Sequence, residues 1–105
     1  MTPIAISVTH TAAPGGRDLL VDAWMRHMPA AVTANPGHLA YVYCVDDAHP
    51  DSVPAFQLHA TPDDARAFLT HPGYLAYLED SRGLLTREPH VRTLSPLWMT
   101  GVVGL

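Results

Sequence analysis

The chain has 105 residues, a length typical of one domain rather than two. Its 6 basic residues are scattered and its net charge is −4, which argues against nucleic-acid binding because phosphates require clustered cations. No apolar run approaches the roughly 20 residues that span a bilayer, and the first residues lack the basic and apolar segments of a secretion signal. We therefore expect one cytoplasmic domain over residues 1–105.

The composition also predicts a partner. The sequence is 48% hydrophobic and only 15% charged. A monomer of this size buries only about 60 to 70% of the surface that its unfolded chain exposes. Because a surplus of apolar surface is most simply covered by a second copy, we expect a homodimer.

The first third of the chain predicts a strand followed by a helix. β-Branched residues alternate with small ones over residues 3–11, the period of a strand, and the Pro- and Gly-rich segment 12–16 ends it. From Arg17 the apolar residues recur at the spacing of one helical face, which predicts an amphipathic helix ending before Asn35. Pro29 should kink or shorten the last turn of this helix.

The middle of the chain predicts two more strands. Residues 39–45 are rich in aromatic and β-branched side chains, and residues 54–60 form a similar run. The polar turn between them, residues 46–51, is short enough to join an antiparallel pair. Cys44 is the only cysteine and cannot form an internal disulfide, so we expect it to be free and buried in the strand.

The last third predicts an interrupted helix and a final strand. Thr61 suits a helix cap, and it is followed by a proline and two acidic residues, which all favour a first turn. The pair Pro72–Gly73 should interrupt the helix, which then continues to about Thr86. Residues 90–94 predict a strand, and the apolar tail at 102–105 should dock on the protein.

In chain order the elements are therefore β-α-β-β-α-β, the arrangement of a ferredoxin-like α+β fold. Such a fold has a four-stranded antiparallel sheet with helices on one face only. Because the strand at 39–45 is apolar on both faces, the open face needs a cover. We predict that the two subunits of the dimer meet at the open face and that a ligand lies under the helices.

Four segments of the chain carry a resemblance that covers nearly its whole length. They are Ala13-Pro14-Gly15, Asn35-Pro36-Gly37-His38-Leu39-Ala40-Tyr41, Phe56-Gln57-Leu58-His59-Ala60 and His71-Pro72-Gly73-Tyr74-Leu75-Ala76-Tyr77-Leu78. In this order and spacing they resemble the antibiotic biosynthesis monooxygenase family of small dimeric α+β barrels. The resemblance implies a pocket between sheet and helices in each subunit. In many members it serves the oxygenation of polycyclic phenols or quinols without a cofactor, because the substrate itself reduces oxygen.

The third strand departs from the pattern of that family. Members with oxygenase activity commonly carry Glu-x-Trp near the end of this strand, with an Asn four residues before the Trp. Here Gln57 and His59 stand at the Glu and Trp positions, and Ala55 stands at the Asn position. The resemblance therefore implies the fold and the dimer, and leaves two chemistries open, oxygenation and proton transfer.

Two histidines are the candidate catalytic residues. His59 replaces an aromatic residue that lines the pocket in the family. Its imidazole could act as a base on a phenol or, once protonated, stabilise an enolate. His10 closes the first strand and could pair with His59 across the site. The alternative for each is an ordinary histidine near a strand end, without a catalytic role.

The candidate ligand-binding residues are Gln57, Tyr41, Tyr43, Trp24 and Tyr74. Gln57 shares its strand face with His59, and the aromatic side chains could stack on a flat ligand. For Trp24 and the two tyrosines of the second strand, core or interface packing is the alternative. None of the 7 histidines has a partner at a helical metal-binding spacing, and no cofactor motif is present, so we expect no metal and no cofactor.

The leading hypothesis is a cofactor-independent enzyme that acts on an aromatic or polyketide-like small molecule. It would either oxygenate a phenol or quinol or, with His59 as base, catalyse a proton transfer such as cyclisation. The alternative is a small-molecule-binding or accessory protein that keeps the fold without the chemistry. Haem binding or haem degradation, which related barrels perform, is the third hypothesis.

Overall fold

The computed structural model describes residues 2–101. In chain order its elements are β1 (Ile4–Thr11), α1 (Arg17–Ala34), β2 (His38–Tyr43), β3 (Ser52–His59), α2 (Pro62–Phe68), α3 (Pro72–Ser81), a 3-10 turn (Arg82–Leu84) and β4 (His90–Leu94). The predicted order of elements is confirmed. The expected docking of the tail at 102–105 lies outside the described residues.

The four strands form one antiparallel sheet in the order β2-β3-β1-β4. This is the ferredoxin-like α+β arrangement predicted from the sequence. Side chains alternate between the two faces of the sheet, so Gln57 and His59 on β3 lie under the helices and Phe56 lies on the open face. None of the helices within residues 2–101 is long and apolar enough to cross a membrane.

The apolar stripe of α1 is the face that this helix buries. α1 packs against α3 above the sheet, and its buried side chains join Val53, Phe68 and Tyr77 in one core. Full burial of a side chain such as Leu20 contributes about 1.5 to 3 kcal/mol. The buried residues of α1 are Leu20, Ala23, Trp24, Met28 and Ala31.

Local hydrogen bonds define where α2 and α3 begin. Thr61 Oγ1 accepts a hydrogen bond from the Asp64 backbone N–H at 3.1 Å, and a proline occupies the first helical position. His71 caps α3 in the same way, because its Nδ1 accepts from the Gly73 N–H at 3.0 Å. Loss of such a cap costs about 1 kcal/mol. The predicted interruption of the second helix is therefore confirmed, with a separate cap for each piece.

Some predicted boundaries are wrong. α1 does end before Asn35, as predicted, but it continues past Pro29 to Ala34, so the proline does not shorten it. β2 spans His38–Tyr43 instead of residues 39–45, and β3 spans Ser52–His59 instead of residues 54–60. The two strands pair with a bulge near the start of β2, which shifts the residues that face each other.

Cys44 is exposed rather than buried, and it follows β2 rather than lying within it. Strand alternation explains the error. Tyr41 and Tyr43 point under the helices, so Val42 and Cys44 point to the open face, which has no helical cover.

Candidate active site

A cavity of about 350 Å³ lies between the helix-covered face of the sheet and helices α2 and α3. This volume is at the lower end of the range for small-molecule sites. Its wall is largely apolar, and the half-exposed Leu69 and Leu78 lie at its rim. The sheet contributes three larger polar side chains to the wall, His10, Gln57 and His59.

A larger cleft of about 600 Å³ lies on the open face, beside β1 and β4. Hydroxyl and guanidinium groups line it, among them Thr9 and Arg92. Because a flat apolar ligand is buried better by the smaller and more enclosed cavity, we assign the candidate site to the cavity under the helices. Within residues 2–101, no three side chains of His, Cys, Asp or Glu converge on a metal position.

His59 is fully buried at the end of β3, in the wall of the cavity. Its Nε2 lies 3.2 Å from Gln57 Oε1. A carbonyl oxygen can only accept a hydrogen bond, so His59 donates from Nε2, and its unprotonated nitrogen is Nδ1. That Nδ1 is buried and has no hydrogen-bond partner among the described residues.

The surroundings of His59 keep its ring neutral. Burial lowers the pKa of His59, and the Asp64 carboxylate opposes this shift only in part. At pH 7 the neutral ring therefore presents a basic nitrogen without a partner. This nitrogen can accept a proton or a hydrogen bond from a ligand hydroxyl.

A second histidine, His38, packs against His59 and was not among the residues expected at the site. The two ring centroids are 4.2 Å apart, because His38 and His59 are direct partners in the β2–β3 pairing. Both ring nitrogens of His38 are buried without a partner in residues 2–101. Burial, and then the positive charge of a protonated His59, lower the pKa of His38 to about 4. The pair therefore carries at most one positive charge near neutral pH.

The segment before β2 holds His38 in place. Asn35 Nδ2 donates to the Asp64 carbonyl oxygen at 3.0 Å, and the Gly37 N–H donates to Asn35 Oδ1 at 3.0 Å. A Cβ atom at Gly37 would lie 2.0 Å from Asp64 Cγ, so glycine is needed for this close approach. The Asn-Pro-Gly-His sequence thus ties the start of β2 to the first turn of α2 and brings His38 against His59.

His10 lines the same cavity but lies at its other end. In the β1–β3 pairing Ile4 faces His59 and His10 faces Val53. At about 3.3 Å per residue, the two histidines are separated by roughly 20 Å of backbone. The expected pairing of His10 with His59 across the site is therefore wrong. His10 Nδ1 lies instead 3.3 Å from the hydroxyl of Tyr77, and burial lowers the pKa of His10.

Among the aromatic residues expected at the site, Tyr74 lines the cavity, where its ring packs on Phe68 at 5.1 Å. Trp24 stacks on Tyr43 at 4.0 Å between ring centroids, and its Nε1–H donates to the Tyr41 hydroxyl at 3.4 Å. Burial raises the pKa of Tyr41 to about 12, so this hydroxyl keeps its proton. These three rings fill the space between α1 and β2 and do not line the cavity, so core packing describes them better than ligand binding.

The likeness of this chain to known proteins is found at the level of the fold. The chain matches no protein-family model, and no curated protein matches it in sequence. Solved structures, in contrast, share its fold over nearly its whole length. Many of them carry the name antibiotic biosynthesis monooxygenase.

Three of these structures illustrate the likeness. A Chloroflexus aurantiacus protein provisionally named as such a monooxygenase is 23% identical, with a TM-score of 0.79 over 96% of this chain and 99% of its own. A Caulobacter crescentus protein with the same provisional name has a TM-score of 0.86 at 13% identity, over 92% of each chain. A variant of SnoaB, a cofactor-independent oxygenase from Streptomyces nogalater, has a TM-score of 0.80 at 17% identity, over 96% of this chain and 99% of its own. At these identities the likeness establishes the fold, and the resemblance seen in the sequence is confirmed at that level.

Proposed function

We propose that the protein is an enzyme that removes a proton from an aromatic or polyketide-like small molecule, with His59 as the base. One observation carries the proposal: the fully buried His59 has an unpartnered Nδ1 and lies in the wall of a largely apolar cavity. Buried polar atoms are seldom left without a partner unless a ligand or a water supplies one. A ligand hydroxyl in this cavity would be that partner once a side chain of the cavity wall moves aside, because the nitrogen is fully buried in the structure.

The lowered pKa of His59 defines the ligands that suit this base. A buried imidazole takes up a proton readily only when the anion that forms stays beside it and stabilises the positive charge. The acidic hydroxyl of a phenol, a quinol or an enol meets this requirement. Gln57 assists as a positioning residue, because its Oε1 accepts from His59 Nε2–H and so keeps the basic lone pair on Nδ1.

The resulting anion has two routes to a product. It can transfer electrons directly to molecular oxygen and become oxygenated, or it can attack a carbonyl group of the same molecule and cyclise. The protein supplies no redox group in either route. The name of the Streptomyces nogalater oxygenase supports the first route. The cyclisation route is supported by Ala55 and His59. They stand where the antibiotic biosynthesis monooxygenase family commonly carries Asn and Trp.

Turnover of candidate phenols and quinols by His59→Ala tests the base. We expect turnover to fall by about 10²- to 10⁴-fold, the usual contribution of a general base. His49→Ala is the matched control, because His49 lies exposed on the turn after β2 and should leave turnover unchanged. Unchanged turnover in His59→Ala would contradict the proposal.

Oxygen dependence separates the two routes. The same substrates are incubated with the wild-type enzyme in air and under anaerobic conditions. Conversion that requires oxygen identifies an oxygenase, whereas equal conversion without oxygen identifies a cyclase or another proton-transfer enzyme.

A non-catalytic binding protein is the second candidate function. The unpartnered nitrogens of His38 and His59 favour a bound polar ligand whether or not chemistry follows. Native mass spectrometry of the purified protein distinguishes the two functions, because a co-purifying molecule that is never converted indicates a binder. A Soret band after titration with haemin would be required for haem binding, and its absence would dismiss that hypothesis.

We also propose that the enzyme is a homodimer whose subunits meet at the open face. Large apolar side chains are exposed there, as expected for an interaction surface. The segment 95–100 runs along the same face and forms a shallow apolar groove with the sheet. The exposed residues include Val42, Phe56, Leu94 and Trp98.

A further inference from the structure

The hydroxyl of Tyr77 connects the core to one end of the cavity. Tyr77 is 1% exposed and belongs to the core cluster beneath α1. Its oxygen lies 3.3 Å from His10 Nδ1, and His10 lines the cavity. The hydrogen bond therefore links a residue that a ligand cannot touch to a residue that it can.

The chemistry of the two groups determines the direction of this hydrogen bond. A phenol is a better donor than a neutral imidazole N–H, and an imidazole nitrogen is a better acceptor than a phenol oxygen. Burial raises the pKa of Tyr77, so the hydroxyl keeps its proton, and burial lowers the pKa of His10, so the ring is neutral. Tyr77 therefore donates to His10.

A neutral histidine that accepts at Nδ1 must carry its proton on Nε2. We infer that Tyr77 is a positioning residue that fixes His10 as an Nε2–H donor, and that this donor binds a carbonyl or oxyanion oxygen of the ligand. The inference rests on the proposed function for the role of His59 and adds to it. His59 presents an acceptor at one end of the cavity, and His10 presents a donor at the other.

This difference between the two ends specifies the ligand class and its orientation. A ligand with an acidic hydroxyl at one end and a carbonyl oxygen at the other satisfies both histidines in one direction only. In the reversed direction the carbonyl oxygen would face His59 Nδ1, so two acceptors would meet. The hydroxyl therefore lies toward His59 and the carbonyl toward His10, which is the arrangement of an extended hydroxyaryl ketone.

Long-range ¹H–¹⁵N NMR correlation of the ¹⁵N-labelled full chain tests the inference, because it identifies which ring nitrogen of each histidine carries the proton. In the wild type we expect His10 as the Nε2–H form at neutral pH. In Tyr77→Phe, which keeps the ring and removes the hydroxyl, we expect both forms of His10. Tyr43→Phe is the matched control, since the Tyr43 hydroxyl is buried without a partner in the described chain, and it should leave His10 unchanged.

The Nδ1–H form of His10 in the wild type would overturn the inference, and so would an unchanged Nε2–H form in Tyr77→Phe. If Tyr77→Phe fails to fold, the wild-type spectrum still tests the inference, because an Nδ1–H form would show that His10 donates to Tyr77 and would overturn it. The measurement needs neither ligand nor turnover. A negative result therefore leaves the role of His59 intact, whereas unchanged turnover in His59→Ala would remove that role without affecting the His10 spectrum.

Discussion

The two faces of the sheet differ in what they leave unsatisfied: buried polar atoms on one face and exposed apolar side chains on the other. Under the helices, buried ring nitrogens of His38 and His59 have no partner in the described chain. On the open face, apolar side chains such as Phe56, 42% exposed, have no cover. β3 supplies both faces, because its side chains alternate. The face under the helices therefore suits a small molecule with a few polar atoms. The open face suits a broad apolar surface such as that of another subunit.

The largest effect is expected on the open face. Phe56→Glu would bury an unpaired carboxylate in each half of the proposed interface, which costs about 3 kcal/mol or more and weakens the dimer at least about 100-fold. Light scattering after size exclusion should show a dimer for the wild type and a monomer for the variant at micromolar concentration. Leu19→Glu is the matched control, because Leu19 is an exposed apolar residue of α1 away from this face.

Circular dichroism must show that Phe56→Glu is folded. A monomeric wild type would contradict the proposal that the open face is a subunit interface. So would a Leu19→Glu variant that dissociates as readily as Phe56→Glu.

A smaller effect is expected under the helices, from His38→Phe. The unfolded chain takes up a proton at His38 near pH 6.5, whereas the folded protein does so only near pH 4. Between these values the unfolded state binds more protons, so the free energy of unfolding decreases as the pH falls from 6.5 to 4. The contribution of His38 to this loss is at most about 3 kcal/mol, because solvent screening and the coupling to His59 reduce it.

Denaturant unfolding over this pH range measures the contribution of His38. His38→Phe should lose less stability than the wild type between pH 6.5 and 4, and at pH 7 it should be at least as stable, because two unpartnered nitrogens are removed. The remaining slope comes from His59 and His10, whose pKa values burial lowers, and near pH 4 also from Asp46 and Asp80, whose pKa values hydrogen bonds lower. If the free energy of unfolding depends on pH equally in the variant and the wild type, His38 and His59 do not form a buried neutral pair.

Much of the fold could be predicted from short sequence patterns that specify local structure. Thr61 and the residues after it specify a first helical turn by themselves, and α2 begins there. The ends of β2 and β3 were not predictable in this way. The start of β2 depends on a bulge in its pairing with β3 and on the contact of Asn35 with α2, which no local pattern in the sequence displays.

The candidate site was predictable in part. His59 and Gln57 follow from strand alternation and do line the cavity. His38 was not predicted as a site residue because its role depends on strand pairing with His59. The Asn-Pro-Gly-His segment that contains it did contribute to the resemblance. Tyr77 was missed because a tyrosine in a helical apolar stripe indicates core packing, which it also provides. Trp24 was expected at the ligand, but α1 lies above β2 and directs this side chain onto Tyr43.

The central claim is that His59 is a buried, neutral base with its lone pair on Nδ1. A pH titration of the ¹⁵N-labelled wild-type protein, followed by the ring nitrogens of His59, tests this claim most directly. We predict the Nε2–H form at pH 7, with protonation only below the ordinary pKa of 6.5. Protonation of His59 at or above pH 6.5, or a proton on Nδ1 at pH 7, would contradict the account.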